Sequence, residues 1–264
     1  MKASRRTGVR EAVYGRQGLR LPPLTRTGDV YFPSVSLLLP LTGANGSTTF
    51  DDISDRNHTV TKYGDAQIST ARWPFSGSGS SLLLDGSVDK LSLPQPLPSS
   101  LQIDFGSYTV EAFVYTTSTA TQTILGNLDN QTGNGHYWML INSTFNGLHT
   151  VQWITPNGNI YQWGTATLAT NQWHHIAATY DGTTTRVFLN GTLLTAGSNS
   201  YTANRNNDVP FYIGATHDVG ALNYTLGGAT ISEFIGSISS IRITKGVARY
   251  VSNFTSPTSP FPDY

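Results

Sequence analysis

From residue 35 onward, apolar and polar residues alternate with period two over short stretches, and no window long enough for an amphipathic helix shows a 3.6-residue period. Tyr108, Val110, Ala112 and Val114 alternate with Thr109, Glu111 and Phe113, and a second alternation runs from Ile235 to Ile243. Each run is short and bounded by turn residues, as half-buried strands are. The pattern predicts strands at Val35 to Leu41, Thr59 to Lys62, Ser81 to Leu84, Lys90 to Leu93, Tyr108 to Tyr115, His136 to Asn142 and Thr150 to Thr155. Four more are expected at Trp173 to Tyr180, Arg186 to Leu189, Val209 to Gly214 and Phe234 to Thr244. Asn157-Gly158, Asp181-Gly182 and Asn190-Gly191 supply the positive φ that tight hairpins need. One helical turn is expected at Val247 to Tyr250, and an extended Pro-rich strap from Phe254 to Pro262. An all-β, antiparallel two-sheet sandwich follows.

Residues 1–34 lack either period. Arginines alternate with Gly8, Gly15, Gly18 and Gly28, and Pro22-Pro23 interrupts the middle. The reading is an extended arm at 1–34 joined to a sandwich at 35–264. Such a segment buries too little apolar surface to offset its ordering entropy and takes its order from a partner.

Composition agrees with strands and turns: 26 Gly, 13 Tyr, 11 Phe and 5 Trp stand against 12% charged residues. The net charge is zero, yet it is divided unevenly. Residues 1–30 hold seven Lys or Arg and two acids, while the remainder holds nine against fourteen. The chain has no Cys, so stability rests on core burial rather than disulfides or thiolate metal sites. Neither a signal peptide nor a membrane span is expected from the basic start and the interrupted apolar run at Val35 to Leu41.

Three runs point to a family. Phe234 to Phe254 joins an alternating strand, a tight Lys245-Gly246 turn and an aromatic lock at Tyr250 and Phe254. With Trp173-His174-His175-Ile176-Ala177-Ala178-Thr179-Tyr180-Asp181-Gly182 and Phe188-Leu189-Asn190-Gly191, it resembles laminin G-like jelly rolls of the concanavalin A-like class over roughly Val35 to Pro262. The wording Ile243-Thr244-Lys245-Gly246-Val247-Ala248-Arg249-Tyr250 is most similar to the variant carried by tailed-phage virion proteins. The resemblance implies a jelly-roll sandwich, a hairpin at Asp85-Gly86-Ser87 after the Leu82-Leu83-Leu84 strand, and a place on a virion.

Catalytic chemistry finds little support. Glycoside hydrolysis needs two carboxyls across the scissile bond. The sandwich has only Glu111 and Glu233, and Ala112-Phe113-Val114-Tyr115 after Glu111 brings no second acid. His174 and His175 are neighbours on a strand, point to opposite faces and cannot converge on one metal. One is expected within the sandwich and one on its surface, while His58, His136, His149 and His217 are scattered among turns. No Gly-x-Ser-x-Gly elbow presents a nucleophile. Calcium is the inorganic option that the relatives raise, with Asp85, Asp89, Asp129, Asn130, Asp208 and Asp218 as loop oxygens. Their spacing matches no oxygen cage and their types suit turns, so no metal or other cofactor is expected.

Two binding chemistries remain. Tyr161 and Trp163 share a face of one strand and are candidates for stacking on a glycan, whereas Trp138 and Trp153 are expected in the core. In the arm, Arg5, Arg6, Arg10, Arg16, Arg20 and Arg26 are interleaved with Gly, Leu and Pro, which favours carboxylates on a protein surface over nucleic acid. Leu19, Leu21, Leu24, Tyr31 and Phe32 are candidate anchors for pockets on that partner. The leading expectation is a noncatalytic capsid decoration or cement protein on the virion surface. It fastens to the major capsid protein through the arm, as a homo-oligomer, with a trimer favoured and no membrane contact. The alternative is a carbohydrate-binding domain of a tail fibre or spike.

Overall fold

The computed structural model describes residues 28–103, 106–127, 138–145, 148–155, 160–163, 165–198, 210–215, 225–226, 229–230 and 232–264. In the strands at 138–145, 154–155, 160–163, 225–226 and 229–230, and at residues 148 and 198, it describes the backbone alone. A 3-10 turn at Phe32–Ser34 opens the fold. The strands are β1 (Val35–Leu39), β2 (Thr61–Tyr63), β3 (Gln67–Ser69), β4 (Ser81–Asp85), β5 (Lys90–Ser92), β6 (Tyr108–Thr116), β7 (Gln122–Gly126), β8 (Trp138–Phe145) and β9 (Leu148–Thr155). They continue as β10 (Ile160–Trp163), β11 (Trp173–Tyr180), β12 (Thr184–Leu189), β13 (Thr192–Ser198), β14 (Tyr212–Ile213), β15 (Thr225–Leu226), β16 (Ala229–Thr230) and β17 (Ile235–Lys245).

The first sheet has the order β13-β12-β11-β6-β17-β4-β3, with β1 also pairing β17, and the second has the order β10-β9-β8-β7-β14-β5-β2. Strands pair antiparallel in both. Long, non-consecutive pairings such as β6 with β11 and β17 make the two-sheet sandwich that the alternation predicted. Between the sheets lie Leu37, Leu82, Val110, Ile176, Val187 and Ile243 from the first and Leu91, Ile124, Val151 and Ile213 from the second. Each such side chain contributes roughly 1.5–3 kcal/mol by leaving water. Trp153 is fully buried there, its indole N–H donating to the Tyr108 hydroxyl at 3.1 Å.

Three local readings need correction. The alternation in β17 is broken: Ile238 and Ile241 both face the core although three positions apart. A bulge between Ser239 and Arg242, with Ser240 at φ 49°, absorbs the extra residue and re-phases the strand. Asp85-Gly86 does not turn a hairpin within one sheet, because β4 belongs to the first sheet and β5 to the second; the corner carries the chain across the sandwich. Residues 247–250 form no helical turn and instead begin the strap.

The strap gives the first sheet a second covered face. Tyr250 and Phe254 stack at 3.6 Å with planes 6° apart, and Phe254 packs edge-on against Phe188 and His175. The Phe254 N–H donates to Gly191 O at 2.9 Å, and a Cβ on Gly191 would collide with the Phe254 carbonyl. Val35, Leu38, Phe113 and Phe261 form a small outer core, with Phe32, Phe75 and Trp173 packed against it. Strand β6 is therefore buried on both faces. Among the described residues no helix is long and apolar enough to cross a membrane.

Candidate functional site

Beneath the strap, on the outer face of the first sheet, the β17 bulge turns Arg242 toward Glu111, its register partner on β6. Arg242 Nη2 and Nε reach Glu111 Oε1 at 2.8 and 2.9 Å. Glu111 Oε2 accepts from His175 Nε2 and from the Tyr250 hydroxyl, each at 3.0 Å. Arg242 Nη1 also reaches Asp29 Oδ2 at 3.0 Å, and Arg249 grips both Asp29 oxygens at 2.9 and 2.6 Å. The Arg242 guanidinium lies 4.0 Å from the Phe261 ring centre. Two cations and two anions balance, and this is what makes the burial tolerable. Burial alone would raise the Glu111 pKa, but the Arg242 charge and the His175 hydrogen bond outweigh it and hold the group at about 2. Burial also opposes ionisation of Asp29, yet Arg249 and the Tyr31 N–H bring its pKa below the ordinary value.

This network changes the reading of several residues. Glu111 is an ionised structural anion, locked by three side chains, rather than a proton donor. Its fellow acid, Glu233, accepts from the Val88 N–H at 2.6 Å, and burial raises its pKa. Both members of the His pair are buried, which corrects the expectation of one surface histidine. They do point to opposite faces. His174 bonds Ala169 O and the Asn190 amide at 2.9 and 3.0 Å, whereas His175 faces the strap.

The expected boundary at 34/35 falls inside folded structure. Asp29 closes the charge network, and its N–H donates to Tyr264 O at 2.8 Å. Phe32, read as an anchor for a partner, packs instead against the outer core of its own chain. Tyr31 is 44% exposed, with the Arg249 guanidinium 5.2 Å from its ring centre. Arg5, Arg6, Arg10, Arg16, Leu19, Arg20, Leu21, Leu24 and Arg26 lie outside the described residues. Asp29 and Arg249 were missed by sequence reasoning. The one signal was an acid closing an otherwise basic segment.

Tyr161 and Trp163 stand on β10, at the edge of the second sheet, opposite Ile154 and Gln152 of β9. Their backbone register agrees with a shared strand face, and their side chains lie outside what is described. A cleft of about 370 Å³ opens on the other sheet, between the loop before β4 and the strap. Phe113 and His175 form its floor, and Phe75, Trp173 and Pro257 form its walls. Phe75 meets Phe113 edge-on at 4.8 Å, and Trp173 meets Tyr115 at 5.7 Å.

The calcium option centres on Asp65, Asp85 and Asp89, whose carboxylates lie within 4.8 Å of one another. Asp89 already staples this corner, its two oxygens accepting the Asp65 and Asp85 N–H groups at 2.7 and 3.1 Å. Burial, together with the nearby Asp65, raises its pKa. A loop staple explains the cluster without an ion. Asp129, Asn130, Asp208 and Asp218 lie outside the described residues.

A search of curated proteins found no match. Among solved structures, domain 4 of AbnA, a GH43 extracellular arabinanase from Geobacillus stearothermophilus in complex with arabinotriose, superposes with a TM-score of 0.54 at 18% identity, covering 81% of this chain and 94% of that one. The binding domain of Paraclostridial Mosquitocidal Protein 1 gives 0.59 at 13% identity, covering 81% and 49%. The receptor-binding domain of botulinum neurotoxin C/D mosaic serotype gives 0.56 at 17%, covering 82% and 49%. The chain spans about half the length of those two toxin domains. At such identities the likeness is one of fold. Residues 85–246, more than half of the chain, match the family model Laminin_G_3, described as the concanavalin A-like lectin/glucanases superfamily, and the chain belongs to that family.

Proposed function

We propose that the chain is a noncatalytic, carbohydrate-binding decoration protein of a phage virion, fastened to capsid subunits by its basic N-terminal residues. The observation that carries this reading is that, among the described residues, the buried Arg242 and Arg249 find their counter-charge at Asp29, so this network closes on itself. Residues 1–27, with seven Lys or Arg against one acid, carry the sign opposite to residues 28–264, which hold nine against fifteen. Arginine forks interleaved with leucines suit an acidic, pocketed protein surface. The phage-type wording at Ile243 to Tyr250 supports the virion setting.

Binding without catalysis is supported by Glu111, which the arginine and histidine partners hold ionised and buried. A glycosidase acid must keep a proton near its working pH. Carbohydrate recognition is supported by the arabinotriose-bound relative and by the aromatic pair on β10.

A glycan array probed with the full chain tests the recognition half. Binding that disappears in Tyr161→Ala or Trp163→Ala is the expected result, and an array without hits overturns it. Co-sedimentation with assembled capsids tests the fastening half. Loss of binding on removal of residues 1–27 is expected, and undiminished binding refutes the arm.

A further inference from the structure

We propose that the cleft walled by Phe75, Trp173 and Pro257 is a second ligand site, which takes one neutral sugar ring. The inference rests on the reading of the domain as a carbohydrate-binding module and adds a subsite in the sheet that does not carry Tyr161 and Trp163.

Size comes first. About 370 Å³ is small for a chain segment and falls in the range of small-molecule sites. Charge is the second filter, because among the described residues neither acid nor Lys or Arg lines the cleft. His175 does not alter this: its Nε2 proton faces the ionised Glu111, and its side chain has no exposed area. A phosphate, carboxylate or ammonium group would lose its hydration there without gaining a counter-charge. The occupant is therefore uncharged.

The lining then separates a sugar from a purely apolar guest. Phe75 and Trp173 are both half-buried, so each keeps aromatic surface for the C–H face of a ring. Ser76, Ser256 and Thr258 stand at the mouth, and among the described residues their hydroxyls make no hydrogen bond. Three hydroxyls over aromatic walls match a ring that has one apolar face and hydroxyls around its edge. A hydrocarbon could make no use of them.

Five separate chain segments form the site, which makes a surface plug a clean perturbation. Thr258 is exposed, so Thr258→Trp fills the mouth without entering the core. The full chain, labelled at His and Trp, is titrated by NMR with the methyl glycosides of glucose, galactose, mannose and arabinose and with N-acetylglucosamine. At least one sugar is expected to shift the Trp173 indole and His175 ring signals. Its affinity should fall about tenfold or more in Thr258→Trp and in Phe75→Ala, and stay unchanged in Tyr161→Ala. The proposal is overturned if no sugar moves either signal, if Thr258→Trp binds as the parent does, or if only a proline-rich peptide enters. Glycan-array binding that survives Thr258→Trp but is lost in Tyr161→Ala would remove this site and leave the proposed function standing.

Discussion

Arg242 lies directly across the sheet from Glu111, and the same guanidinium reaches past it to Asp29 at the start of the fold. One side chain thus ties together the N-terminal entry, a central strand and the long last strand of the sandwich. All three groups are shielded from water, so the arrangement holds only while every charge has its opposite.

Replacing Arg242 by Met should therefore cost roughly 3–5 kcal/mol, because Glu111 stays buried without its main counter-charge. Urea denaturation followed by tryptophan fluorescence measures this. The Glu111→Leu/Arg242→Met double variant should be less destabilised than the sum of the single changes. Additive losses would mean that the two residues are not coupled.

Acid should loosen the molecule in a defined direction. Glu111 and Asp29 have folded-state pKa values below their ordinary ones, with Glu111 at about 2. The unfolded chain accordingly binds protons first. Their contribution is complete above about pH 5 and is lost as pH falls toward the folded value. Denaturation midpoints at pH 7, 5, 4 and 3 should decline across the last two steps, and more shallowly in Asp29→Asn. Equal slopes in the two proteins would exclude Asp29 from the effect.

Gly191 is a test of the strap. It sits at φ 79° and supports the Phe254 carbonyl closely enough that a methyl group cannot be accommodated. Gly191→Ala should cost more than about 1 kcal/mol and increase hydrogen exchange at the Phe254 amide, which bonds Gly191 O. Unchanged exchange at that amide would show that the strap is held elsewhere.

Removing residues 1–27 should leave the melting temperature unchanged, whereas Asp29→Ala in the full chain should lower it by several degrees. Differential scanning calorimetry separates these outcomes. Equal losses would make the basic segment part of the fold.

The sandwich was legible because its central strands obey simple rules. Tyr108, Val110, Ala112 and Val114 face the inter-sheet core as their alternation requires, and Asp181-Gly182 turns between paired β11 and β12. The outer core was not legible. Its cover is a strap without periodicity, and the residues beneath it include Glu111, Arg242 and His175, whose polarity reads as solvent-facing. Only a three-dimensional roof makes them interior. Strand β13, with Thr192, Thr195, Ala196, Gly197 and Ser198, escaped notice because small and polar residues carry little alternation, and its position comes from pairing with β12. The Ser239–Arg242 bulge was hidden for a related reason: a run of Ile and Ser satisfies either phase. Trp153 settled in the core as expected, whereas the arm boundary was misplaced because Asp29 draws its order from arginines more than two hundred positions away.

The backbone bond from Asp29 to Tyr264 places the two ends of the folded body side by side. A short linker could join them, and the ring could then be reopened at an exposed turn such as Asp181-Gly182 to give a circular permutant with the same hydrophobic interior. A dye or affinity handle attached at Tyr264 would therefore sit beside the entry to the fold at Asp29.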